Sequence, residues 1–166
     1  MLFSEKMNAA INEQIGREFA ASLEYVSIAS CFACEGLTEL AKHFYRQAEE
    51  ERDHAMRFVK YVVDAGGRVA IPAIPAPKSA FKSAEEAVRN SLEWELTVTK
   101  HINTLVDLAL HESDHTTQNF LQWFVTEQLE EVSSMETLLS VVRRAGESGL
   151  LTVEATLARK SNAENP

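Results

Sequence analysis

Apolar residues recur three, four and seven positions apart along four long stretches of this chain, and that spacing is typical of amphipathic helices. Capping and turn residues delimit the four predicted helices at about Ser4 and Gly36, Thr38 and Gly66, Ser83 and His111, and Thr116 and Ala145. A shorter amphipathic segment follows over about residues 150–160, and it must dock on its own bundle or on a neighbouring subunit to be stable. We expect the last residues, 161–166, to form a disordered tail.

The connections between these helices predict how they pack. A tight link around Gly36 makes the first two helices antiparallel neighbours. The third helix follows the stretch RVAIPAIPAPKSAFKS, where Pro72, Pro75 and Pro77 forbid a helix and favour an extended path. Such a stretch spans a bundle, so the third helix can run parallel to the second in an up-up-down-down arrangement with one long crossover. A flexible linker between two helical hairpins is the alternative, but the apolar residues of the stretch favour a strap on the bundle surface.

Composition agrees with a single all-α domain covering residues 1–166. The chain has 166 residues, of which 45% are hydrophobic and 25% charged, with only six Gly and four Pro, so a sizeable helical core can form. A net charge of −9 suits the attraction of cations and argues against nucleic acid as a partner. Because no signal peptide or long apolar run is visible, we expect a cytoplasmic protein that does not enter membranes.

Cys31 and Cys34 form a CxxC pair near the end of the first predicted helix. A redox or metal-binding pair is expected at the start of a helix or together with a second pair, and neither condition holds in this sequence. We therefore expect the two cysteines to be small apolar fillers or exposed thiols.

A polar residue interrupts the apolar stripe near the midpoint of each long helix. The interrupting residues are Glu18, then Glu51 with His54, then Glu95, and finally Gln128 with Glu131. Because the midpoints of packed helices lie at one height, these side chains are expected to converge inside the bundle. Burying several carboxylates together is costly unless protons or cations neutralise them. Two divalent metals resolve that conflict, whereas a solvated acidic stripe and a metal-free interaction bundle are the alternatives.

The chemistry of these ligands narrows the choice of metal. Carboxylate oxygens with a single imidazole suit iron, manganese or, more weakly, zinc. Symmetric di-metal bundles carry a Glu-x-x-His motif on two helices, whereas the fourth helix of this chain has Gln128-x-x-Glu131 instead. One metal site is therefore expected to include His54, and the other to be built from carboxylates alone.

With these motifs in place, the chain resembles the non-haem bacterial ferritins along nearly its whole length. The resemblance lies in NEQIGREFAASLEY, AKHFYRQAEEERDHAM, the long crossover, NFLQWFVTEQLEEV and the short last helix. It implies a ferritin-like four-helix bundle with a short fifth helix and two irons per subunit. The implied activity is oxidation of Fe(II) by dioxygen or hydrogen peroxide, with storage of the ferric mineral in a homo-oligomeric 24-subunit cage. The alternative is a di-iron oxidase that detoxifies peroxide with little storage.

The same resemblance implies roles for individual residues. The first iron site corresponds to Glu18, Glu51 and His54, and the second to Glu51, Glu95 and Glu131 with Gln128 nearby. A third, peripheral iron site corresponds to Glu50, Glu127 and Glu130, for which a solvated acidic face is the alternative. Tyr25 corresponds to a tyrosine that supplies an electron, and this role is compatible with a plain core aromatic.

Two further expectations come from the resemblance. Arg52 follows Glu51 at the position where haem-containing bacterioferritins carry their haem-ligating methionine, so no haem is expected. The polar patch between the third and fourth helices corresponds to the region where family members meet at three-fold pores. Its residues Glu112, Asp114 and His115 are expected to line or approach an iron entrance, and a simple polar turn is the alternative.

Overall fold

The computed structural model describes the backbone of residues 1–164 and the side chains of residues 1–159, and over that span its regular structure is helical. The helices are α1 Glu5–Cys34, α2 Thr38–Asp64, α3 Ala84–His111, α4 His115–Ala145 and α5 Leu150–Glu164, with a 3₁₀ turn at Glu147–Gly149. The expected all-α architecture of four long helices and a short fifth is therefore confirmed. None of the helices in the described part has the length and apolar composition needed to span a bilayer.

The helix ends follow the capping signals closely, with two differences. Ser4, Ser83 and Asp114 each accept a hydrogen bond from the backbone N–H three residues later, at 3.0, 3.1 and 3.0 Å respectively. Because Asp114 is the N-cap, α4 begins at His115, one residue before the predicted start. At the other end of the chain, α5 continues to Glu164 through residues expected to be disordered. The remainder of that predicted tail, residues 165–166, lies outside the described residues.

Two apolar clusters show the direction in which each helix runs. One cluster joins the C-terminal halves of α1 and α4 to the N-terminal halves of α2 and α3. The other cluster joins the opposite halves of the same four helices. Helices α1 and α4 therefore run one way, and α2 and α3 run the other way. The predicted parallel course of α2 and α3 is present, but the order along the chain is up, down, down, up and not up-up-down-down, because the tight α1–α2 turn makes those two helices antiparallel.

The proline-rich crossover between α2 and α3 lies along α1. Asn12 holds its first part, because its side chain donates to one crossover carbonyl and accepts from one crossover N–H, both at 2.9 Å. Further along α1, the Glu24 carboxylate accepts the backbone N–H of Lys78 at 3.0 Å. A Cβ on Gly16 would lie only 2.4 Å from Cγ of Pro72, so only glycine allows this close approach. The crossover is therefore a strap fixed to the bundle.

The C-terminal segment docks on its own bundle and caps two other helices. Both oxygens of the Glu154 carboxylate accept backbone N–H groups at the start of α2, those of Glu39 and Leu40, each at 2.8 Å. The residue before α2 offers no side-chain cap of its own, so Glu154 supplies the missing acceptor. Glu147 likewise accepts the N–H of Ala84 at the start of α3, at 3.1 Å. Glu154 thus ties the C-terminal segment to the first hairpin, whereas Glu147 ties it to the start of α3.

Candidate metal centre

A polar layer lies between the two apolar clusters, at mid-height of the bundle. Its members are Glu18 on α1, Glu51 and His54 on α2, Glu95 on α3, and Gln128 and Glu131 on α4. None of these six residues is more than 5% exposed. The helical period places each of them on the inward stripe of its own helix, as the sequence pattern predicts. The packing of the four helices then brings the six side chains to one place.

The carboxylates and the imidazole of this layer form two overlapping groups. Ligand atoms of Glu18, Glu51 and His54 lie within 4.8 Å of one another, and so do those of Glu51, Glu95 and Glu131. Glu51 belongs to both groups, and its Oε2 lies 3.4 Å from Nδ1 of His54. The structure thus assembles the same two sets that the family resemblance implies, with Glu51 between them.

The predicted third set is not assembled in the same way. Glu127 lies within 4.8 Å of ligand atoms of His54 and Glu131, and its Oε1 is 3.9 Å from Nε2 of His54. Among the described side chains, Glu50 and Glu130 join no three-ligand group, and both are exposed. The assignment of a third iron site to Glu50, Glu127 and Glu130 therefore stays a prediction.

Hydrogen bonds hold Glu95 from two sides. The hydroxyl of the fully buried Tyr25 donates a hydrogen bond to Oε1 of Glu95. Gln128 donates from Nε2 to the other carboxylate oxygen, Oε2, at 3.1 Å. Tyr25 and Gln128 therefore contact the second group directly, which agrees with their predicted place beside the iron site. Burial and the adjacent charge of Glu95 raise the pKa of Tyr25 well above its usual value, so its hydroxyl keeps its proton.

Two buried glutamines contact the outer carboxylates, and sequence reasoning gave neither of them a role. Gln14 donates from Nε2 to Oε1 of Glu18 at 2.8 Å, and Gln47 donates from Nε2 to Oε2 of Glu131 at 2.7 Å. Gln47 lies one turn before Glu51 on α2, and Gln14 lies one turn before Glu18 on α1. The signal for Gln14 was its position four residues before Glu18, a spacing at which helical side chains interact.

Burial raises the pKa values of the carboxyl groups in this layer. Burial, with the charge of Glu51, raises the pKa of Glu18 well above its usual range, and burial with the charge of Glu95 does the same for Glu51. Burial and the charge of Glu95 raise the pKa of Glu131 to about 8. Among the described residues, Oε2 of Glu18 and Oε1 of Glu51 have no hydrogen-bond partner. Divalent cations fit this layer, because they neutralise the carboxylates and use the unpartnered oxygens.

The polar patch at the α3–α4 turn has structural contacts of its own. The Glu112 carboxylate accepts a hydrogen bond from the Ser4 hydroxyl at 2.7 Å, and Asp114 caps α4. His115 is exposed at the first position of that helix. These contacts explain the polarity of Glu112 and Asp114 without an iron entrance, so the pore role of the patch stays a prediction.

Comparison with known proteins decides the family. A family model described as a ferritin-like domain matches residues 8–145. Ferritin BfrB of Mycolicibacterium smegmatis is 44% identical over 158 residues, which cover 95% of this chain and 87% of that protein. The chain belongs to the ferritin family. The resemblance seen in the sequence is therefore confirmed, and the buried Glu and His layer fits a ferritin di-iron site.

Two further ferritins extend the similarity to the whole fold. The bacterial non-heme ferritin of Bacteroides fragilis is 33% identical over 159 residues, which cover 96% of this chain and 100% of that protein. The novel open pore ferritin of the hyperthermophilic archaeon Archaeoglobus fulgidus matches in structure with a TM-score of 0.91 at 39% identity. That match covers 94% of this chain and 96% of the archaeal chain. The bundle, its crossover and its fifth helix are thus those of a ferritin subunit.

Proposed function

We propose that this ferritin oxidises Fe(II) to Fe(III) with dioxygen or hydrogen peroxide at its buried polar layer and stores the ferric mineral in a homo-oligomeric cage. The observation that carries the proposal is the pair of three-ligand groups that share Glu51. In this proposal each group holds one Fe(II), and the shared Glu51 keeps the two ions side by side, as in other di-metal sites. Iron is the substrate of this reaction and the cargo of the cage.

The protein contributes position and negative charge to the proposed reaction. Two Fe(II) ions supply two electrons, which reduce dioxygen to hydrogen peroxide or hydrogen peroxide to water. Glu51 holds both ions, while His54 gives the first group a nitrogen ligand and Glu95 and Glu131 complete the second. The Tyr25 hydroxyl donates to Glu95 and orients that ligand, while its role as an electron donor stays a prediction. Water and hydroxide then complete the Fe(III) coordination, and protons are released.

Storage requires a hollow assembly, because one bundle has no interior large enough for a mineral. The similarity to ferritins from a mycobacterium, a Bacteroides species and an archaeon supports a homo-oligomeric cage of the 24-subunit kind that the family resemblance implies. The absence of haem at Arg52, the cytoplasmic location and the lack of membrane and nucleic-acid partners stay predictions.

The test is the amount of iron retained per chain. Metal-free protein is loaded with excess Fe(II) in air, and the assembled fraction is isolated by size exclusion before its iron is counted. We expect far more than the two ions that one di-metal site per chain can hold. The control variant Glu136→Ala removes an exposed carboxylate of α4 and should retain as much iron per chain as the natural chain does.

The same experiment separates storage from its alternatives. Fast Fe(II) oxidation with about two ions retained per chain would replace storage by a di-iron oxidase that consumes peroxide. Slow oxidation, equal to that of Fe(II) in buffer, would remove the oxidase activity itself. An assembly that binds no divalent cation would leave only the metal-free helical bundle.

A further inference from the structure

Two buried glutamine side chains stand just outside the ligand groups, and each contacts the terminal carboxylate of a different group. Gln14 is 0% exposed and donates to Glu18, which belongs to the first group only. Gln47 is 7% exposed and donates to Glu131, which belongs to the second. Each amide therefore contacts one ligand group: Gln14 the first and Gln47 the second.

The orientation of the Gln14 amide is set by its neighbours on both sides. When Glu18 is ionised and holds a cation, its carboxylate only accepts hydrogen bonds, so the N–H end of the amide must then face Glu18. The carbonyl end faces the Arg17 guanidinium, with Oε1 3.5 Å from Nη1. Because a guanidinium only donates, a flipped amide would oppose like groups on both sides. Arg17, Gln14 and Glu18 thus form a chain with one consistent direction.

Gln47 makes its contact across the bundle. It lies on α2, one turn before Glu51, and it reaches Glu131 on α4, 84 residues along the chain, at 2.7 Å. This amide engages Oε2 of Glu131 and leaves the other carboxylate oxygen for a cation. The equivalent contact at Glu18 engages Oε1, and Oε2 has no hydrogen-bond partner among the described residues. Each terminal carboxylate is therefore held by one oxygen and available by the other.

We propose that Gln14 and Gln47 are positioning residues, each dedicated to one of the two metal positions. Gln14 fixes Glu18 for the group that contains His54, and Gln47 fixes Glu131 for the all-carboxylate group. The inference rests on the proposed function, because it requires a divalent cation in each group. Removal of an outer hydrogen-bond partner typically lowers metal affinity about 10- to 100-fold. Each substitution should produce that loss at one position only.

The experiment titrates metal-free protein with Co²⁺, which is spectroscopically visible and is not oxidised under these conditions. The natural chain should bind two Co²⁺ ions per chain, with d–d absorption bands for each. Gln14→Leu should weaken one of the two binding steps about 10- to 100-fold, and Gln47→Leu should weaken the other. Each variant is the matched control of the other, since both remove one buried amide of the same size. Anomalous scattering from Co²⁺-soaked crystals shows which position each variant has lost.

A second variant separates positioning from a general effect on folding. In a chain that already carries Glu131→Gln, the further change Gln47→Leu should alter Co²⁺ binding no more, because Gln47 acts through Glu131. Any loss of folding stability would persist in that background. Should the leucine variants fail to assemble, Gln14→Met and Gln47→Met repeat the comparison with an unbranched side chain of similar length.

Each outcome bears on the proposal in a defined way. A crossed pattern, in which each variant loses a different position, supports it. Two variants that both keep two unchanged Co²⁺ sites, or that both lose both sites equally, would overturn the positioning role and leave the proposed function standing. A natural chain that does not bind two Co²⁺ ions would overturn the proposed function and this inference together.

Discussion

The α1–α2 hairpin and the α3–α4 hairpin contribute unequally to the metal centre. The first hairpin contains one complete ligand group, formed by Glu18, Glu51 and His54. The second hairpin supplies Glu95 and Glu131, but its group is complete only when Glu51 reaches it from α2. One group therefore needs a single tight turn, whereas the other needs the two hairpins packed against each other. The second metal position therefore depends on the packing of the two hairpins against each other.

The two groups also differ in their electrostatics. The first includes an imidazole, which lies 3.4 Å from Glu51 and brings no negative charge. The second is made of carboxylates alone, and the pKa of its Glu131 is raised to about 8 by burial and by the charge of Glu95. The second group has three carboxyl groups and the first has two, so a cation entering the second position competes with up to three protons and one entering the first with up to two. We therefore expect the second position to bind cations more weakly at neutral pH.

The largest effect is expected from Glu51→Ala, because this change breaks both groups at once. Loss of a residue that only hydrogen-bonds to a metal ligand typically costs about 10- to 100-fold in activity. Glu51 is itself a ligand of both groups, so the rate of fast Fe(II) oxidation should fall by more than that. Stopped-flow absorbance during aerobic addition of Fe(II) measures the rate, and size exclusion checks that the assembly is intact. Retained fast oxidation in an intact assembly would show that the two groups are not the reaction site.

A smaller effect is expected from Glu18→Gln and from Glu131→Gln, because each should weaken metal binding at one position and leave the other. Each change keeps the side-chain shape and removes one charge from one group only. In Zn²⁺-soaked crystals, anomalous peaks should show that Glu18→Gln keeps the position beside Glu95, and Glu131→Gln the position beside His54. If either change emptied both positions, the hairpins would not act as separate halves, and the comparison would fail.

The buried carboxyl groups should also make the folding stability of the metal-free protein depend on pH. Burial raises the pKa values of these carboxyl groups in the folded state, so their protonated forms stabilise the fold. That contribution to the free energy of unfolding is fully present below the usual pKa of a glutamate, near pH 4.5, and is lost as the pH rises toward about 8. Chemical denaturation should therefore give a higher free energy of unfolding at pH 5 than at pH 8, by a few kcal/mol. Added Zn²⁺ should reverse the loss, and Glu51→Gln should flatten the dependence. A pH-independent stability would argue against the buried charge cluster.

The smallest effect concerns the contact between α5 and the start of α2, away from the metals. Glu154→Gln should lower the free energy of unfolding by about 1 kcal/mol, since it weakens the acceptor at the N-terminus of α2. The control Glu136→Gln, on an exposed part of α4, should change it by less than about 0.5 kcal/mol. Equal effects of the two changes, measured by denaturant unfolding of the metal-loaded protein, would show that α5 does not stabilise the start of α2.

Most of the helical framework could be predicted because its signals are local. Ser4 and Ser83 cap their helices as expected, and the prolines of the crossover exclude a helix as expected. The start of α4 was predicted one residue late, because Asp114 was interpreted as part of a polar patch and not as a cap. The role of Gln14 was missed for a similar reason, since attention to the apolar stripe passes over a polar neighbour one turn away.

The amino-acid sequence specifies which residues share a helical face, because a period of 3.6 residues places Glu18, Glu51, Glu95 and Glu131 on inward stripes wherever those helices form. It does not specify which of these carboxylates meet. That Glu51 serves both groups, and that Gln47 reaches Glu131 across 84 residues of chain, depends on the rotation and height of each helix and on side-chain rotamers. Those quantities are set only when the two hairpins pack and the layer of buried charge is shared among four helices.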